Sequence, residues 1–329
     1  MTTTASCVVA LTVRPPVAGD LRAVFDLTTA SDTREFGEPD YPFEEFAANW
    51  QALDLTDDAR VAVLPDGRIV GWATLTDRGL HAGLRGSVYV HPDFEGIGVG
   101  SGLVRWTEER GAEHVPLAPE GVRVVLHHGC NARNGKAHEL FGALGYREVL
   151  RCWRMQIELD PARPPAAPVW PDGIAVRNVE NEADERRLYA AAEEAFRDQW
   201  GYVPRTFEQW VGRKKRHGHD PGLWLMALDG DEVAGAVVGA IFPETYSRIY
   251  TVAVRRPWRR RGVALALLRE AFRRFAERGE SLVALGVDAA SPTGATRLYE
   301  KAGMRATREV AVYEKELRPG VDPARDEDA

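Results

Sequence analysis

The order of apolar and polar positions divides the chain into two similar halves. In the second half the β-branched runs "IAVRNV" (174–179), "SRIYTVAV" (247–254), "LVALGVD" (282–288) and "REVAVYEKEL" (308–317) predict strands. "LDGDEVAGAVV" (228–238) predicts a hairpin about an Asp-Gly turn. The amphipathic stretches "EADERRLYAAAEEAFRDQW", "PRTFEQWVGRKKRHG", "ALALLREAFRRFAERG" and "GATRLYEKAG" predict helices, three of them closing at glycine. The first half repeats the pattern. "LPDGRIVGWATL" (64–75) is the matching hairpin, and "GSVYVHPDFEGIGVGSGLVRWTEERG" (86–111) matches "YTVAVRRPWRRRGVALALLREAFRRFAERG" (250–279). "HELFGALGYREV" (138–149) matches "TRLYEKAGMRAT" (296–307), so Gly98 answers Gly262 and Gly145 answers Gly303. Three matches in one order imply a duplicated domain, with an insertion near "VPLAPEG" absorbing the small drift.

Each half reads as mixed α/β, and the chain as two similar sheets. Five prolines in "DPARPPAAPVWPDG" disfavour both helix and central strand, which places a linker between the halves. The expected organisation is an N-terminal domain (1–159), a Pro-rich linker (160–173), a C-terminal domain (174–318) and a disordered acidic tail (319–329). The 329 residues suit two domains. Cys7, Cys130 and Cys152 are scattered and without metal-ligand spacing, as in a reduced cytoplasmic protein. No secretory signal and no membrane span is expected.

Charge changes this picture at one place. The chain carries a formal net charge of -7, yet Arg255, Arg256, Arg259, Arg260 and Arg261 crowd one turn between a strand and a helix. A nucleic-acid patch needs a broad basic surface, which the overall acidity opposes. A solvated basic turn and a phosphate cradle remain. A helix start offers unpaired N–H groups and the positive end of its dipole, and Gly262 with the small Ala264 lets an oxygen approach the backbone.

"RRRGVA", Arg259 to Ala264, resembles the R/Q-x-x-G-x-G/A signature of the GCN5-related N-acetyltransferases, the GNAT superfamily. "VDAASPTGATRLYEKAGM", Val287 to Met304, resembles that family's next strand and helix. The tandem arrangement is similar to that of the mycothiol synthase-like acetyltransferases. The resemblance implies two GNAT-like domains, each a mixed, mostly antiparallel twisted sheet flanked by helices. It implies acetyl-CoA as cosubstrate, no metal, and transfer of an acetyl group to the primary amine of a small molecule. It further implies that Val252 and Val254 meet the pantetheine through their main chains. Arg259, Arg260, Arg261, Gly262, Val263 and Ala264 would meet the pyrophosphate, Ser291 would stand where the family usually has Asn, and Tyr299 would receive the thiolate. A monomer or homodimer with neither nucleic-acid nor membrane partner is expected. A non-catalytic acyl-CoA-binding or regulatory protein is the alternative.

An unperturbed phenol (pKa ~10) giving its proton to a thiolate (~8.5) is uphill by about 2 kcal/mol, so Tyr299 is expected to act chiefly as a hydrogen-bond donor. The candidate bases are Glu193, Glu194, Asp198 and Glu244, with Glu193 favoured. Phe196, Trp200, Tyr202 and Trp210 are candidate acceptor-site aromatics, while His217 and His219 read as part of an exposed basic helix end. In the first half Glu95 stands at the signature's first position and Phe141 at the tyrosine position, so this half reads as a degenerate domain. Its strand histidines His127 and His128 read as structural.

Overall fold

The computed structural model describes residues 11–322 except 198, 200, 216, 217, 243, 244, 292 and 293. The chain folds into two compact units that do not follow its halves strictly: one comprises residues up to Val149 together with Val312–Asp322, the other Leu150–Ala311.

The first unit contains β1 (Thr12–Arg14), α1 (Leu21–Phe36), α2 (Phe43–Gln51), β2 (Ala59–Val63), β3 (Ile69–Asp77) and β4 (Gly83–Val90). After these come α3 (Val99–His114), β5 (Val124–Asn131), α4 (Gly135–Ala143) and the start of β6 (Arg147–Glu158). Strands β1 to β4 form an antiparallel meander, and β5 adds in parallel to β4. Beyond β5 lies the end of a strand from far along the chain, β12 (Arg305–Arg318). Glu314 on that strand is buried and accepts from Arg123 at 2.7 Å and meets His127 at 3.1 Å, which ties β12 to β5.

The second unit contains β7 (Ile174–Asn178), α5 (Glu182–Phe196), α6 (Phe207–Lys215), β8 (His219–Asp229), β9 (Glu232–Ala240) and β10 (Ser247–Val254). It continues with α7 (Val263–Glu277), β11 (Leu282–Asp288) and α8 (Ala295–Lys301). Its sheet runs β7-β8-β9-β10-β11-β6, with β10/β11 parallel. Strand β6, which follows the first unit's last helix, therefore completes the second sheet, with Leu282↔Glu158 through Asp288↔Cys152 in antiparallel register. Each unit thus receives its last strand from the other half of the repeat. The hydrophobic pattern specifies that such a strand is half-buried but not which sheet it joins.

Two layers cover the second sheet. On one face α7 and α8 bury Leu267, Phe272, Phe275 and Tyr299 against Leu223, Val237, Ile249 and Val283. On the other, α5 and α6 bury Leu188, Ala192 and Trp210 against Trp224, Met226 and Ala253. The small residues of "AGAVVGA" have a packing reason: a Cβ on Gly239 would stand 2.7 Å from Phe275 Cζ, so glycine admits the helix. The Pro-rich segment 160–173 carries no regular element, and it is not a free tether. Trp170 packs on the core, and Pro171 Cγ lies 3.7 Å from the Cβ position of Gly262. The segment expected as a disordered tail begins in order: Val321 pairs with Val122, its N–H donating to Gly121 O at 2.9 Å, while residues 323–329 lie outside the described residues.

Candidate functional site

The site grows from the way β10 and β11 separate. They pair in parallel only at Ser247↔Val283 and Arg248↔Ala284, although β10 continues to Val254 and β11 to Asp288. On its other side β10 stays paired with β9 to Val254, with a slip between Ile249 and Thr251 that leaves Tyr250 as an extra, bulged residue. The Arg255 N–H donates to Ala234 O at 3.0 Å. By the two-residue alternation of a ladder, Val252 and Val254 therefore turn their N–H and C=O groups to the opposite edge, the one β11 has left. This is a row of main-chain donors and acceptors along a wedge-shaped opening.

The wedge leads into the Arg-rich loop. A short 3-10 turn, Arg256–Trp258, is fixed by Trp258 Nε1 donating to Asp229 at 2.8 Å. Two residues then take positive φ, Arg260 at 63° and Gly262 at 89°, the latter as N-cap of α7. Arginine in this region costs roughly 1–2 kcal/mol, and such strain gathers where a loop must present its backbone to a ligand. The first-turn N–H groups of α7, Val263 and Ala264 among them, point out of the helix start, where an anion is favoured.

The structure divides the arginines by task. Arg255 is an internal brace, 2.6 Å from Glu194 and 3.3 Å from Glu232, over the Trp258 ring. The Arg259 guanidinium donates to Val254 O and Ala195 O, both at 3.2 Å, and so ties the loop to β10 and α5. Arg260 and Arg261 are both exposed, the latter 3.6 Å from Asp229. The last two carry charge at the loop's outer surface. Ser291 lies in the turn between β11 and α8, its N–H donating to Asp288 O at 3.1 Å.

Tyr299 reaches the same region from α8. It belongs to one cluster with Val252, Val254, Val263 and Trp258, which gathers the strand, the loop's helix and the tyrosine. It is 8 % exposed, and burial pushes its phenol up to about 12. Glu193 approaches β10 from the other face, on α5, whose neighbours pack on Ala253. It accepts a hydrogen bond from Tyr202, whose own pKa is raised by burial and by that carboxylate. Glu194 is taken by Arg255. Trp210 is core rather than lining, edge-on to Trp224. His219 opens strand β8 against Trp224 instead of ending a helix. Asp198, Trp200, His217 and Glu244 lie outside the described residues.

Two features had no signal in residue spacing. The Tyr250 bulge is a property of pairing, and Lys214 on α6 sits over the Trp210 ring at 4.8 Å and the Tyr250 ring at 5.7 Å.

The first unit repeats the frame with different side chains. Strands β4 and β5 pair only from Gly83↔Val125 to Arg85↔His127, and His91 N–H donates to Val70 O at 3.0 Å, as Arg255 does to Ala234. Gly96 (φ 79°) and Gly98 (φ 94°) reproduce the loop. The β3/β4 register runs unbroken from Gly71↔Val90 to Asp77↔Leu84, so there is no bulge. Glu95 turns onto Lys136 at 2.7 Å. Phe141 is buried, stacked on Tyr313 at 4.9 Å. His128, 2 % exposed, meets Thr107 Oγ1 at 3.0 Å, and His127 meets Glu314, so both are structural.

Among the described residues no helix is long and apolar enough to cross a membrane, and no three His, Cys, Asp or Glu side chains gather as metal ligands would. The sequence model of the acetyltransferase (GNAT) family matches residues 21–146 and 183–304. A GCN5-related N-acetyltransferase from Sphaerobacter thermophilus superposes with a TM-score of 0.84 at 40% identity, covering 95% of this chain and 98% of that one. A tandem GNAT protein from the clavulanic acid biosynthesis pathway shares the fold (TM-score 0.68, 16% identity, 95% and 100% covered). The mycothiol acetyltransferase of Thermomonospora curvata is 31% identical over 241 residues, 73% of this chain and 76% of that protein. That of Thermobispora bispora is 29% identical over 256 residues, 74% and 80% respectively.

Proposed function

We propose that this chain, which belongs to the acetyltransferase (GNAT) family, moves the acetyl group of acetyl-CoA to the primary amine of a small molecule through its Leu150–Ala311 unit. The observation that carries the reading is the wedge between β10 and β11, edged by Val252 and Val254 and followed by the positive-φ loop, with Tyr299 in the same core cluster. The first unit has the wedge and the loop but neither the bulge nor the tyrosine.

Bound acetyl-CoA supplies an activated thioester. The residues of the chain do the rest. Val252 and Val254 hold the pantetheine arm by main-chain bonds, and an N–H near Val252 polarises the carbonyl that the amine attacks. Gly262, Val263 and Ala264 receive the pyrophosphate on the helix start, with Arg260 and Arg261 adding charge. Arg259 contributes by fixing that loop, and Ser291 borders the opening. Tyr299 donates a hydrogen bond to the departing sulfur. Glu193, across β10, draws the acceptor's ammonium inward, its carboxylate oriented by Tyr202.

An antibiotic, a metabolite, a peptide N-terminus and a thiol-precursor amine are all compatible acceptors. The mycothiol acetyltransferases among the relatives make the amine that acetylation converts to mycothiol the first to try. The test is CoA release across an amine panel containing it, alongside acetyl-CoA binding by calorimetry. Tight binding with no accelerated release by any amine would make this a non-catalytic acyl-CoA-binding protein.

A further inference from the structure

A transferase of this kind must remove a proton from an ammonium before the nitrogen can attack, and among the described residues the carboxylates of α5 near β10 already have partners. Glu194 is paired with Arg255, Glu185 with Lys215 at 2.6 Å, and Glu193 accepts from Tyr202. One amine on the same face is not committed. Lys214 lies in the last turn of α6, half-buried, its Nζ held over the faces of Trp210 and Tyr250. Among the described residues Nζ makes no ion pair. Tyr250 is the residue that bulges from β10, two positions before Val252, so Lys214 hangs beside the stretch of strand where the thioester carbonyl is read.

We propose that Lys214 is the proton acceptor for the attacking amine, an inference that rests on the acetyltransferase reading above. Neutral Nζ takes one proton from the acceptor's ammonium, and the freed lone pair forms the C–N bond to the thioester carbon. The C–S bond breaks with its electrons on sulfur, which takes the second N–H proton, and Lys214 later releases the first to solvent. The aromatic faces hold the chain in place and by themselves favour the ammonium modestly, whereas burial disfavours it. Burial, with Arg213 and Arg205 nearby, lowers the Lys214 pKa to about 7 against the opposing pull of Glu193. A base poised near the working pH transfers protons better than an ordinary carboxylate. An arriving ammonium shifts the balance further toward neutral Nζ, since like charges disfavour one another.

The experiment is the pH dependence of kcat/KM for CoA release, with the best amine of the panel, in wild type, Lys214→Met and Lys214→Arg. Competitive acetic-anhydride labelling of the Lys214 peptide gives its titration without turnover. Expected are an ascending limb near pH 7, its loss in both variants with kcat down about 10²–10³-fold, unchanged acetyl-CoA affinity, and a labelling break near pH 7. Arginine keeps the charge and the fold but cannot give up its proton, so failure of Lys214→Arg to rescue separates proton transfer from packing. A limb that persists in Lys214→Met, or labelling with an ordinary lysine profile, overturns the proposal while leaving the acetyltransferase reading intact. A wild type silent toward every amine removes that reading, and the base with it.

Discussion

Replacing Tyr299 by phenylalanine tests the chemistry most directly. The phenol is buried in the core cluster that also holds Val252, Val254 and Trp258, and burial alone raises it to about 12. Against a thiol near ~8.5, full proton transfer would be uphill by roughly 3.5 pKa steps, about 5 kcal/mol. For an unperturbed phenol the same step is uphill by only about 2 kcal/mol. Burial thus disfavours full proton transfer further, and hydrogen-bond donation is the role the variant tests. One bond to a developing anion is worth about 1.5–3 kcal/mol, so Tyr299→Phe should lower kcat by roughly 10–150-fold. Acetyl-CoA KM should hardly change, because the bond strengthens only as the thiolate forms. The fold should survive, since the first unit already keeps a buried Phe141 at the corresponding position. CoA release followed with a thiol-reactive chromophore, between pH 6 and 10, is the assay. Wild type should show no alkaline limb attributable to Tyr299, which stays protonated throughout. A limb near pH 9 that disappears in the variant would refute the burial argument, and an unchanged kcat would remove Tyr299 from the reaction.

Three further outcomes concern the frame. His128 is buried, and desolvation, with Arg85 and His127 nearby, depresses it to about 3. A depressed folded-state pKa gives stability that is complete above the unfolded value near 6.5 and lost as pH falls toward 3. Denaturant melts should show up to about 5 kcal/mol disappearing across that window, and a flat profile would contradict it. Glu314→Ala removes the buried partner of Arg123 and His127 but leaves Arg123 its contacts with Glu316 at 2.6 Å and Asp322 at 3.5 Å, and should cost about 1–3 kcal/mol, read as a lower denaturation midpoint. Gly235→Ala puts a Cβ 2.7 Å from Ala253 O, a backbone atom that cannot turn aside. Calorimetry should show a loss of about 1–3 kcal/mol, and a neutral result would mean that β9 and β10 can part there at little expense.

Much of this protein was written locally. The strand "SRIYTVAV", the glycine-capped α7, the Asp-Gly hairpin and the cradle-like "RRRGVA" all follow from side-chain periodicity and from which residues tolerate positive φ. These depend on a few neighbouring residues, so the sequence determined them alone, along with the duplication and the loss of Arg and Tyr from its first copy. The tertiary structure decided what depends on partners distant in the chain. Strands β6 and β12 have half-buried patterns that either sheet could satisfy, and the pairing of β6 with β11 and of Glu314 with Arg123 assigns them. The Tyr250 bulge exists only against β9. The arginine cluster is uniform as sequence, yet carboxylates from α5 and β9 and carbonyls from β10 and α5 turn Arg255 and Arg259 into braces. Lys214 reads as one more cation in a basic run until Trp210 and Tyr250 close over it. A side chain's charge is fixed by its type, but its task is set by what folding brings within a few ångströms of it.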